Sequence, residues 1–191
     1  MAAEPRDRPT RKDAVRNRAV LVEAAATVFR EEGLDASVNA VARAAGVNVA
    51  TLYRHFPTKG HLVDAVLDAL LAPLVSARDR ALATPAGAPF LAGFLREAAQ
   101  LQSRNRGLLD AFGRHPSAPD VGRRLREPSI AIVEPLVERA HEGGELRADF
   151  GAIDLLIGLQ MVATVVAKAA AGLDVDRYVG IVVRGLRPDQ A

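Results

Sequence analysis

Residues 48–59 gather groups suited to meeting a polyanion: the Asn48 amide, the Thr51 and Tyr53 hydroxyls, the His55 imidazole, and the charges of Arg54 and Lys59. Val49 and Ala50 stand among them and offer only apolar contact, for instance to a thymine methyl. A helix showing amide, hydroxyl and imidazole groups near its N-terminal half can enter the major groove of DNA. Asn48, with Arg43 a little upstream, can reach polar base edges. The plainer alternative for Arg43 and Arg54 is an exposed arginine facing solvent, and for Tyr53 and His55 it is partial packing. No catalytic constellation competes. There is no cysteine, no glycine-rich phosphate loop, no Gly-x-Ser-x-Gly and no Ser/His/Asp arrangement. His61, His115 and His141 lack metal-ligand spacing with one another or with carboxylates. The expectation is a binding protein with no enzyme activity, no metal and no cofactor.

Groups so placed need two short helices and a tight turn to hold them. Ser37 reads as the N-cap of the first, which carries Val38, Val41, Ala42 and Ala45 and ends at Gly46. Glycine turns left-handed there without a Cβ penalty. Asn48 caps the second, which runs to Pro57, and proline cannot continue it. Two helices so joined form a helix-turn-helix signature, whose small core is expected from Val41, Ala42, Ala45, Val47, Leu52 and Phe56. Before them, Val15, Ala19, Val22, Ala26 and Phe29 trace one face of an amphipathic helix from a cap at Asp13 to Gly33. After them, Thr58 caps a helix bearing Leu62, Val63, Val66, Leu67, Leu70 and Leu71, which Pro73 is expected to kink or end.

Composition agrees with helices throughout. The chain of 191 residues holds 36 alanines and only 4% aromatics, and no alternating strand pattern is present. The fold class is therefore all-α. The net charge of +2 is unevenly spread: residues 1–18 carry six basic groups against three acidic ones. Residues 1–12 read as a flexible basic arm, a natural contact for nucleic acid. No secretory signal is legible, and the greasiest run, Leu155–Ala167, is too short to span a bilayer. A soluble cytoplasmic protein with no membrane partner is expected, associated with the nucleoid through DNA.

The residues themselves narrow the reading. The run from Ser37 to Leu62, with Ala45-Gly46-Val47-Asn48 and Thr51-Leu52-Tyr53-Arg54-His55-Phe56 at its centre, resembles the N-terminal DNA-binding domain of TetR/AcrR-type transcriptional repressors. The preceding Ala24–Gly33 fits as well, and the likeness extends over residues 13–70. It implies that Tyr53, His55 and Lys59 contact phosphates and that Thr51 contacts a phosphate or a base. Ser37, Arg43, Asn48, Val49, Ala50 and Arg54 complete the expected DNA-facing set. Asn48 replaces the family's usual serine, Ala50 its glycine and Gly60 its glutamate. The resemblance further implies a homodimer on a double-stranded operator, a repressor released by a small-molecule effector. The domain boundaries follow as 13–72 for the DNA-binding domain and 73–191 for a ligand-binding and dimerisation domain.

Helices are expected near 90–104, 107–114, 120–142, 151–171 and 174–187, with Pro128 and Pro135 liable to split the third. Ile153–Ala171 is apolar nearly all round, so a second subunit is expected to cover one side. Leu155, Leu159, Val162, Val165 and Val166 would face it, joined by Tyr178, Val179 and Val182 of the last helix. The alternative is a central core helix in a monomer. Phe90, Phe94, Leu108, Phe112, Gln160, Met161 and Thr164 are the candidates for an effector pocket, although such residues are more often plain core. Two rival functions remain at this point: a helical enzyme, and an architectural DNA binder without a ligand.

Overall fold

Helix α1 covers Arg11–Glu32 and stops where Gly33 adopts φ +84°. The computed structural model describes residues 11–85, 89–168 and 174–188. The expected basic arm lies outside the described residues as far as residue 10, and so does the joint expected at Gly172. Because α1 is already helical at Arg11, Asp13 sits inside it and does not cap it. The buried stripe is Leu21, Val22, Ala25, Val28 and Phe29, whereas Ala19 is exposed and Ala26 half-buried. Bulk decides the phase: Leu21 and Val28 remove more apolar surface from water than the alanines at the same spacing.

Eight further helices follow among the described residues, and no strand. They are α2 (Val38–Ala44), α3 (Val49–His55), α4 (Lys59–Leu82), α5 (Leu91–Arg104), α6 (Arg106–Gly113), α7 (Ala118–Glu142), α8 (Ala152–Ala167) and α9 (Val175–Leu186). Neither α4 nor α7 ends at its interior prolines. Pro73 lies within α4, and Pro128 and Pro135 lie within α7. An interior proline costs a helix about 3 kcal/mol. Tertiary burial offsets it, because Ile132, Val133, Leu136, Val137 and Ala140 anchor α7. In α4, Leu62, Val66 and Leu67 lie on one side of Pro73, Ala77 and Ala81 on the other, all buried. By length and composition α4 is apolar enough to cross a membrane. Its apolar side chains are instead committed to two cores of this chain.

The first core is built by α1–α4 around Phe29, Val41, Leu52, Phe56 and Leu62. It is closed by residues from later in the chain, since Leu108 and Phe112 of α6 and Val121 of α7 are buried in it. Phe112 meets Phe29 with ring centroids 6.4 Å apart. Gly107 brings α6 so near α1 that an added Cβ would stand 3.3 Å from Arg30 Cγ. The second core joins the far half of α4 to α5, α7, α8 and α9. At its edge the Arg139 guanidinium donates to the carbonyls of Ala81, Leu82, Thr84 and Pro85 and lies 4.6 Å from the Phe90 ring centroid.

Candidate nucleic-acid interface and regulatory cavity

The α2–turn–α3 unit is assembled by local bonds that its sequence specifies. Ser37 Oγ accepts from the Ala40 N–H at 3.1 Å, and Asn48 Oδ1 accepts from the Thr51 N–H at 2.7 Å. Between them Gly46 takes φ +68°. Its N–H donates to Arg43 O, and the Val47 N–H donates to Ala42 O at 3.0 Å, which is a Schellman closure. Val41, Ala42, Leu52 and Phe56 are buried as expected, while Ala45 and Val47 are only partly buried. Thr58 Oγ1 accepts from the His61 N–H at 3.2 Å and so starts α4 with Lys59 in its first turn.

Packing one side of α3 leaves the other outward. Tyr53 is 46% exposed, and Arg43, Asn48, Ala50 and Arg54 are exposed with it. Thr51, His55 and Lys59 are half-buried. Val49 leans on the first core, so its surface is shared between packing and the outside. Ser37 is exposed at the start of α2, but its oxygen is already occupied by the cap. No acidic residue occurs from 36 to 63, while Arg43, Arg54 and Lys59 do. On α1 the Arg18 guanidinium lies over the Phe56 ring, 4.9 Å from its centroid, which brings one more cation beside α3. Among the described residues Arg18, Arg43, Arg54 and Lys59 form no ion pair, so the face carries positive charge and hydrogen-bond donors.

The second half contains a cavity of about 380 Å³ between α4, α5, α6, α7 and α8. Its wall is mainly leucine, with Gln102, Asn105, Arg126, Ser129 and Gln160 as the polar groups. The Gln102 amide donates to Gln160 Oε1, and Gln102 Oε1 is buried with no partner among the described residues. Of the residues expected there, Gln160 alone lines this cavity. Thr164 lines a smaller polar hollow beside it. Phe90 and Phe94 line a shallow hollow near Arg80 and Glu97, and both are buried in the second core. Leu108 and Phe112 belong to the first core, and Met161 is 57% exposed on the outer face of α8. Phe90, Phe94, Leu108 and Phe112 are spent on the two cores, and Met161 faces outward. The polar lining on α5–α7 carries no spacing signal that would single it out.

The expected dimer face divides in the same way. Leu155, Leu159, Val162 and Val179 are buried in the protomer's own core, because α5 covers that side of α8. Val165, Val166, Tyr178 and Val182 are half-buried. The apolar residues left outward are Ile153, Ile157 and Met161 of α8, spaced four apart, with Ile181 of α9. Ile157, Met161 and Ile181 border a shallow hollow of about 290 Å³ that Gly158 and Gly185 also line.

An all-helical chain with an outward, cationic recognition helix on a capped helix-turn-helix is a DNA-binding regulator. Comparison with known proteins specifies which. Residues 21–66 match the model of bacterial regulatory proteins of the tetR family, and residues 84–188 match the C-terminal domain of SbtR-like transcriptional regulators. The chain is 30% identical to a TetR transcription regulatory protein of Mycobacterium vanbaalenii, covering 93% of this chain and 99% of that one, with a TM-score of 0.63. Against the TetR transcriptional regulator SCO0520 of Streptomyces coelicolor the identity is also 30%, over 91% and 99%, with a TM-score of 0.57. A stretch of 53 residues is 45% identical to an HTH-type transcriptional regulator of Staphylococcus aureus, 27% of this chain and 29% of that protein. The match thus spans under a third of that relative's length. This chain belongs to the TetR family of transcriptional regulators, which are not enzymes.

Proposed function

We propose that this regulator is a homodimeric repressor that occupies a pseudo-palindromic operator and leaves it when a small molecule enters the leucine-walled cavity. The observation that carries the reading is the outward face of α3, cationic and free of carboxylates. Residues 13–72 serve as the DNA-binding unit and 73–191 as the effector and dimer unit. Tyr53, His55 and Lys59 hold phosphates, with Thr51 beside them. Asn48, Arg43, Ala50 and the open part of Val49 face the base edges, and Arg54 adds charge. Ile153, Ile157, Met161 and Ile181 pair with the same patch on a second copy, as a two-fold interface requires. Val165, Val166, Tyr178 and Val182 flank that patch.

The apolar wall with a few polar groups at its edge supports an effector in the cavity. Asn105, just before α6, and Leu109 within it line the cavity, and three residues after Leu109 Phe112 packs on Phe29 of α1. An occupant that prefers one placement of α6 thereby biases the α1–α3 unit, and with it the separation of the two recognition helices. Half-sites one turn of DNA apart, about 34–36 Å, fit only one separation. The protein would act in the cytoplasm, on the nucleoid. Selection of bound DNA from a random pool tests the core of this reading. A two-fold consensus is expected, and a recovered set with no two-fold relation overturns it.

A further inference from the structure

The cavity's chemistry points to one class of occupant. We propose that it takes an aliphatic monoanion, a medium-length carboxylate whose chain lies among the leucines and whose head pairs with Arg126. This rests on the reading of the cavity as the effector site. Eight leucines form the body of the wall and, among the described residues, no aromatic ring lines it, so this wall offers no face on which a planar ring would stack. It is a flexible surface that suits a flexible chain.

Among the described residues Arg126 is the one charged group of the lining, and no carboxylate accompanies it. The arginines just before it are already matched: Arg123 with Asp120 at 3.4 Å and Arg124 with Asp64 at 2.5 Å. Arg126 has no ion pair among the described residues. A guanidinium that keeps its fork open beside an apolar space is a receptor for a carboxylate, which it holds by two parallel bonds. A cationic ligand would meet that charge unfavourably, and a neutral one would leave it unused. At roughly 30 Å³ per water-sized group, about 380 Å³ holds on the order of a dozen non-hydrogen atoms, the size of decanoate.

The test is calorimetric titration of the full chain near neutral pH with decanoate, 1-decanol and decylamine, repeated on Arg126→Gln and Leu156→Trp. Arg126 is exposed, so its substitution leaves the fold intact. Decanoate is expected to bind about tenfold more tightly than decanol, with decylamine weakest. Arg126→Gln should bring decanoate down to the level of decanol and leave decanol unchanged. Octanoate should bind more weakly than decanoate by about fourfold for each methylene lost. Decanol equal to decanoate in the wild type, or decanoate unaffected by Arg126→Gln, overturns the anion. If Leu156→Trp still abolishes decanol binding in that case, the effector-site reading stands. If none of the three probes binds, both fall together.

Discussion

The two halves of this molecule use apolar residues under different constraints. In the first half, short helices and caps leave each side chain one place to go: Leu52 is buried, and Tyr53 beside it faces out. In the second half, α8 is apolar on several faces, and Leu159 and Ile157 look alike in type yet end in opposite environments. Leu159 is 6% exposed in the core, whereas Ile157 is 55% exposed outside it. A local motif states its own orientation; a long apolar helix has its orientation assigned by its neighbours.

The sharpest way to break this contrast is at the seam between the halves. Phe112→Ala should destabilise the first core by about 3–5 kcal/mol although it lies outside the helix-turn-helix, read as a lowered melting temperature. A change confined to effector response would show the two halves are less joined than they are drawn. Next in size is the pair on α8. Leu159→Ala should lower stability by about 2–5 kcal/mol. Ile157→Asp should leave the helical circular dichroism signal unchanged but give a monomer in sedimentation equilibrium, with operator affinity reduced on the order of 100-fold through lost bivalency. A dimer that survives Ile157→Asp moves the interface elsewhere.

Within the first half, Asn48→Ala should cost about 1 kcal/mol of stability through the lost cap to the Thr51 N–H. The same variant should change base preference, so melting and sequence selection together separate its two roles. The smallest effect is expected at Lys59 and Tyr53. Lys59→Gln should lower the salt dependence of binding by about one counterion per protomer. Tyr53→Phe should weaken all sequences by a common factor and leave the consensus unchanged. An altered consensus with intact affinity would reassign Tyr53 to base reading.

How far the sequence could be read follows the same division. Ser37, Asn48 and Thr58 are found as caps because a cap oxygen and its N–H lie only three residues apart. Gly46 is found because a left-handed turn excludes most other residues. On α1 the expected face is right at Val22 and Phe29, but Ala19 and Ala26 give way to Leu21 and Val28, which bury more apolar surface than an alanine does. At Pro73, Pro128 and Pro135 the sequence allows a helix end that does not occur, because the burial that holds those helices together is contributed by distant elements. Arg126 and Gln102 escaped notice for a like reason. Their significance comes from the leucines around them, which α4, α5, α6, α7 and α8 bring from five separate stretches of chain.

Helix α4 has a consequence for how such proteins diversify. It is one continuous rod whose two ends are set in different cores, with Pro73 between them. Adding a single residue near Pro73 would rotate one end against the other by about 100° and slide it about 1.5 Å. Ala77 and Ala81 could not then face α5 while Leu62 and Leu67 still faced α1. Swapping effector halves between relatives is therefore permitted only at junctions that conserve helical phase. A graft that keeps the residue count through α4 transmits its new signal, and one that changes it by one delivers a properly folded head aimed the wrong way.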